Sequence, residues 1–262
     1  MTGPAAGGAA DTAGSADLER RFGGLRRLYG DAAYARLRAA RVAVVGLGGV
    51  GSWAAEALAR CGVARLVLID LDHVAESNVN RQVQALGRTI GQAKVQALAE
   101  RIADIHPGCQ VLAVEDFVAP DNWPALLPAP VDVLVDACDQ VRAKLALAAW
   151  SLREGVPLVC VGAAGGKRQP QRVEVADLAE ATHDPLLASL RQRLRKDAAA
   201  PRAGRIGVRC VFSRESVAAP QDSCDSDGTL NCHGYGSSVT VTATFGMVAA
   251  AEALAQLAAG RR

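Results

Sequence analysis

The sequence predicts an α/β fold: a Rossmann-like, doubly wound, mainly parallel sheet with a C-terminal extension of further strands and helices. Three observations carry that prediction. Short, fully apolar runs alternate with helical patterns, as expected where strands are covered on both faces. The first unit, Arg41–Asp72, reads strand, glycine turn, helix, strand within about 30 residues. Half of the 262 residues are apolar, enough for a large core.

The chain opens with a Gly/Ala/Thr/Ser-rich stretch, residues 1–16, predicted to be a disordered tail because it has little apolar surface to bury. It lacks the basic start and apolar run of a secretory signal. Residues 17–262 are predicted to form one domain. Asp17–Ala40 reads as a short helix broken at Gly23-Gly24, then a second helix from about Asp31, with Asp31 as N-cap.

Val42–Val45 is the first strand, and Gly46-Leu47-Gly48-Gly49-Val50-Gly51 follows it directly. This is G-x-G-x-x-G between a strand and a helix, the context in which the motif binds phosphate. Gly46 permits the tight turn. Gly48 and Gly49 let backbone approach a phosphate, and Gly51 lets helix pack on strand. The helix, Ser52–Arg60, offers free N–H groups to an anion. The second strand ends at Asp70, about 20 residues on, where a carboxylate accepts bonds from ribose hydroxyls. The motif alone leaves NAD and ATP both open.

The next segments choose. Leu71–Gly91 is a polar loop carrying Asp72, Asn78, Asn80, Arg81 and Gln82. Lys94 then opens a helix that stops at His106-Pro107-Gly108. Arg81 and Lys94 are suited to polyphosphate, the first as a planar fork and the second as a point charge. Gln110–Val114 and Val131–Val135 read as the third and fourth strands, with a short helix at best over Pro120–Leu127. Asp139 follows the fourth strand, where open α/β sheets place ligands. It suits either Mg²⁺ beside a triphosphate or the N-cap of the helix Gln140–Glu154.

Pro157–Val161 is a fifth strand leading to a second glycine-rich turn, Gly162–Gly166. Arg172–Val175 is strand-like, and Gly207–Phe212 is a further strand. Between them, Asp184–Lys196 is an amphipathic helix with Pro185 in its first turn. Arg191, Arg193, Arg195, Lys196, Arg202, Arg205 and Arg209 face one acid, Asp197, over this stretch. The run is either a solvated helix face or a phosphate-backbone contact surface, most simply for RNA. The net charge of +2 says nothing strong about nucleic acid, so this cluster must carry that argument. Residues 239–260 are long and almost uncharged. Their Ala, Thr and Gly content predicts a buried core helix rather than a membrane span.

Seven cysteines at irregular spacing, with no signal ahead of them, predict reduced thiols in a cytoplasmic protein. No C-x-x-C pair exists, so no zinc clip is expected. Cys232 beside His233 in a polar loop reads equally as a reactive thiolate or a plain free thiol.

Together G-x-G-G-x-G, L-I-D-x-D, S-N-x-x-R-Q, G-x-x-K and D-x-x-D resemble the ATP-dependent adenylyltransferase superfamily. That superfamily includes the ubiquitin-activating enzymes and their bacterial relatives in thiamine and molybdopterin synthesis. RRFGGLRRLYG, NRQ, DFVAPDN, GAAGG, DPLLASLRQRLR and TVTATFG are similar to its tRNA threonylcarbamoyladenosine dehydratase branch, from about Arg20 to the chain end. The resemblance implies ATP-driven activation of that nucleoside's carboxylate in tRNA, followed by ring closure. The alternative it leaves is activation of a small ubiquitin-like sulfur carrier's C-terminus.

By that resemblance Gly46, Gly48, Gly49 and Gly51 would hold the ATP phosphates, and Asp70 and Asp72 the ribose. Asn78, Arg81 and Lys94 would hold the triphosphate, and Asp139 the Mg²⁺. The basic run itself, read as a phosphate-backbone contact surface, would set Arg191, Arg193, Arg195, Lys196, Arg202 and Arg205 against tRNA. The nucleotide-binding core would span about 40–162 and the substrate-facing part about 163–262. Cys232 matches a branch cysteine implicated in activity or sulfur exchange, which leaves room for a cysteine desulfurase partner. A homodimer is implied in the same way. Two features depart from the thiamine and molybdopterin types. Their paired C-x-x-C zinc ligands are missing, which fits the tRNA branch. Their N-terminal arginine motif keeps its first Arg alone, leaving Arg21, Arg26 and Arg27 as finger candidates.

Overall fold

The computed structural model describes residues 16–197, 199–217 and 235–260. Residues 1–15 of the tail predicted over residues 1–16, and the readings of Cys232 and His233, lie outside them.

Strands β1 (Arg41–Val45), β2 (Arg65–Ile69), β3 (Gln110–Val114), β4 (Val133–Asp136), β5 (Leu158–Val161), β6 (Val173–Asp177) and β7 (Arg209–Ser213) form one sheet among the described residues. Its order is β3-β2-β1-β4-β5-β7-β6. All neighbours are parallel except β6 and β7. The chain winds outward from β1 to β3, then returns to place β4 on β1's other side. That reversal leaves a crevice at the strands' carboxyl ends, the usual ligand position of such sheets.

The helices are α1 (Leu18–Tyr29), α2 (Asp31–Ala39), α3 (Gly51–Arg60), α4 (Lys94–Ile105), α5 (Val141–Glu154), α6 (Pro185–Lys196) and α7 (Val239–Ala259). They cover both faces, so the inner strands β1, β2, β4 and β5 are almost wholly buried. Along β1, Val42 and Val44 join one core with Leu58, Leu98 and Phe245. Ala43 and Val45 join the other, with Leu147, Leu190 and Phe212. This is the strand period of two read against two cores.

α7 is the described helix with the length and apolarity to cross a membrane, at 21 residues and a hydropathy of 1.4. It lies instead against the sheet, α2 and α3, with Val241, Phe245, Ala249, Ala253 and Leu257 buried. At Gly246 any side chain would overlap the Val50 carbonyl, so α7 approaches α3 to backbone distance there.

Three local expectations are corrected. α1 runs unbroken through Gly23-Gly24. Asp17 caps it, and Phe22 docks on His106 with ring centroids 4.6 Å apart. That docking offsets a glycine cost of about 1 kcal/mol each. Asp31 is the first residue of α2 rather than its N-cap, because Gly30 at φ +79° makes the turn between the helices. Residues 120–127 form turns, not a helix. There the Asn122 side chain accepts from the Ala119 N–H and donates to the Phe117 carbonyl, bonds that compete with helix formation.

Candidate active site

A cavity of about 800 Å³ opens at the carboxyl ends of β1, β2, β4 and β5. The glycine turn forms its floor. Gly46 sits at φ +83°, and a Cβ there would stand 2.8 Å from the Cys138 amide nitrogen. Gly48 and Gly49 border the cavity, so their backbone is bare to a ligand. Gly51 does not. A side chain there would overlap the Gly46 carbonyl, and its part is close helix–strand packing.

Asp70 follows β2 and accepts the Leu47 N–H at 2.5 Å and the Asp72 N–H at 2.8 Å. Burial raises its pKa above the ordinary carboxylate value, against the opposing pull of Lys94 and those two N–H groups. Lys94 Nζ lies 2.6 Å from Asp72 Oδ2 and 3.9 Å from Asp70 Oδ1. It borders the cavity although its side chain is only 4% exposed. Arg81 also borders the cavity and donates to Ser77 O at 2.6 Å. Trp53 Nε1 on α3 donates to the Arg81 carbonyl at 2.9 Å, fixing this loop to the glycine-turn helix. The buried Thr242 hydroxyl, at the start of α7, borders the cavity too. It has no hydrogen-bond partner among the described residues, which suits a polar ligand.

Asn78 is not on the cavity. It is buried and accepts the Ala75 N–H at 3.1 Å, closing the 3-10 turn that leads to Arg81. Its side-chain oxygen is engaged in that turn, and Asn78 is not among the residues that border the cavity. Asp139 is exposed, borders the cavity and makes no hydrogen bond or ion pair among the described residues. Gln140, without a side-chain bond, occupies the N-cap of α5, so the N-capping alternative for Asp139 falls.

Beneath Asp139 lies an ion pair that sequence reading missed. Lys144 and Asp136 are both fully buried, with Nζ 3.1 Å from Oδ1. Nζ also donates to the Val161 carbonyl at 2.7 Å, tying the end of β4 to the end of β5. Asp136 Oδ1 accepts the Cys138 N–H at 3.2 Å and its thiol at 2.9 Å. Burial alone would lower the Lys144 pKa, but Asp136 outweighs it and the shift is upward. Burial, reinforced by Asp136, pushes the Cys138 thiol well up, so it stays protonated as a donor. Lys144 reads as one more helix cation in sequence. The available signal was its place on the inward face of α5, with Ala143, Leu147, Ala148 and Ser151.

Past Asp139 the cavity reaches the second glycine turn. Asp184, the N-cap of α6, accepts the Leu187 N–H at 3.0 Å and the Ala163 N–H at 2.8 Å. The segment entering α7 crosses between the two sides. Gly236 O accepts the Gly166 N–H at 2.9 Å, and Ser237 O accepts from Asn80 Nδ2 at 3.4 Å.

The basic cluster is not one patch. Arg191 donates to the Leu178 and Ala181 carbonyls at 3.0 and 2.7 Å, and Arg195 donates to Gly204 O at 3.2 Å. Arg209 pairs with Glu252 on α7. Arg193, Lys196, Arg202 and Arg205 are exposed, with Arg205 3.5 Å from Asp177. Among the described residues no three His, Cys, Asp or Glu side chains gather as a metal site. A lone carboxylate such as Asp139 still fits Mg²⁺, which is usually held by one or two carboxylates plus substrate phosphates.

The sequence profile of the ThiF family matches residues 21–261. The tRNA threonylcarbamoyladenosine dehydratase of Escherichia coli (strain K12) is 45% identical, over 92% of this chain and 94% of its own length. The dehydratase of Haemophilus influenzae is 40% identical over the same shares. The crystal structure of the E. coli dehydratase in complex with ATP superposes with a TM-score of 0.84 at 44% identity, covering 93% of this chain and 96% of that one.

Proposed function

This chain belongs to the ThiF family, and on that footing we propose that it adenylates the carboxylate of threonylcarbamoyladenosine in tRNA with ATP and closes it to the cyclic form. The observation that carries this reading is the 45% identity to a dehydratase over 92% of the chain, a span too long to leave out the C-terminal third. The ATP residues alone would serve a carrier-protein activator equally.

The reaction follows from the cavity. Bare backbone at Gly48 and Gly49, with the N-terminus of α3, suits the phosphates. Asp70 suits the ribose hydroxyls. A carboxylate oxygen of the substrate attacks the α-phosphorus and pyrophosphate leaves. Arg81 and Lys94 offset the charge that builds on that leaving group. Asp139 would hold Mg²⁺, which when bound neutralises phosphate charge. A nucleophile already tethered in the same side chain then attacks the activated carbonyl. AMP leaves with the carboxylate oxygen, and proximity supplies much of this step. The nucleoside ends lighter by one water.

A homodimer, a cytoplasmic location and sulfur transfer at Cys232 belong to the same reading. The five described cysteines are free thiols. Pyrophosphate release from ATP tests the reading. Release should require tRNA bearing the modified nucleoside. Release triggered by a sulfur-carrier protein, and not by that tRNA, would replace dehydration with carrier activation.

A further inference from the structure

We propose that the part of the cavity beyond β5 receives the purine base of the substrate nucleoside, with Tyr235 as the surface on which it stacks. This rests on the tRNA reading above.

The glycine turn and Asp70 commit the β1–β2 side to ATP. The cavity continues past Asp139 to Gly162, Ala163, Pro185, Leu186, Val217 and Tyr235. None of these side chains is charged. Such walls suit a flat, neutral group and not a phosphate, whose charge would go unanswered. Tyr235 borders the cavity and is 38% exposed, so it is not packed away in the core. The backbone that follows it is pinned at Gly236 to the second glycine turn and at Ser237 to Asn80. A fixed backbone presenting an aromatic ring is what unstacked RNA bases bind.

The reaction itself needs such a site. An adenosine held in a base stack cannot bring its side chain to an enclosed α-phosphorus, so it must be extruded into a pocket. The surroundings agree. Pro185 and Leu186 begin α6, and the exposed Arg193 and Lys196 lie eight and eleven residues further along it, about 12 and 17 Å from Pro185. The base would enter at the neutral end of α6 while the RNA backbone follows its basic end.

Steady-state kinetics on Tyr235→Ala, Tyr235→Leu and Tyr235→Phe tests this, with ATP affinity measured separately. The Ala and Leu variants should raise KM for the modified tRNA roughly tenfold to a hundredfold, as loss of one base–aromatic stack does. The Phe variant should behave as the parent, and ATP affinity should hold within about twofold in all three. A thermal melt confirms that each variant is folded. If Leu matches the parent, or Ala leaves KM unchanged, Tyr235 is not a stacking surface. Failure of the dehydratase reading looks different: the parent protein itself would leave the tRNA unchanged.

Discussion

Two buried lysines sit near the cavity and do different work. Lys94 borders it between Asp70 and Asp72, poised to exchange a carboxylate for a phosphate. Lys94→Ala should lower adenylation by about a hundredfold or more, the usual cost of removing one preorganised donor. Pyrophosphate exchange measures it, and near-normal exchange would remove Lys94 from the phosphate site. Lys144 touches no ligand space and braces the turn below Asp139. Lys144→Met leaves Asp136 buried without its partner and should cost about 3–5 kcal/mol, read by denaturant unfolding. Adding Asp136→Leu should restore most of that loss. If the double variant is no more stable than the single one, the pair is not what holds the turn. Lys94 was legible in sequence because G-x-x-K opens a helix after a polar loop. Lys144 was not, because its partner lies eight positions earlier on a strand, and burial of a lysine is a tertiary fact. Asn78 shows the converse. Its motif pointed to a phosphate, yet its carboxamide closes the turn that presents Arg81.

At the scale of elements, α6 combines both readings of its charge. Arg191 and Arg195 hold neighbouring carbonyls, while Arg193 and Lys196 face solvent. Reversing the exposed pair with Arg193→Glu and Lys196→Glu should weaken tRNA binding and flatten its log–log salt dependence by roughly two units. An unchanged slope would make this end of α6 a solvated face. The docking of α1 carries a pH dependence. His106 is buried against Phe22, with Arg38 Nη1 2.9 Å from its Nε2. Burial, with Arg38 adding to it, lowers the His106 pKa below 6.5. The unfolded chain therefore binds the proton first, so stability is full above about pH 6.5 and falls as pH drops toward the folded-state pKa. Melting temperature should fall less between pH 7.5 and 5.5 in His106→Gln than in the parent. Equal slopes would show that His106 does not drive the loss. Element types were largely legible from apolar runs and caps. The errors fell at Gly23-Gly24 and residues 120–127, where docking and side-chain-to-backbone bonds overrode local propensity.

At the scale of the molecule, one sheet brings two glycine turns to one cavity. The first lies at β1 and was readable as a motif with its mechanism. The second lies at β5, and its meaning depends on Tyr235 and Pro185, which sequence separates and the fold brings together. A nucleotide side and a neutral acceptor side therefore meet at Asp139. On the proposed function, this cavity dehydrates a nucleoside in tRNA at the expense of ATP. The direct measurement is mass spectrometry of nucleosides from tRNA bearing threonylcarbamoyladenosine, after incubation with the protein, ATP and Mg²⁺. The predicted result is a nucleoside lighter by one water, with AMP and pyrophosphate formed in equal amounts. An unchanged nucleoside would contradict the account.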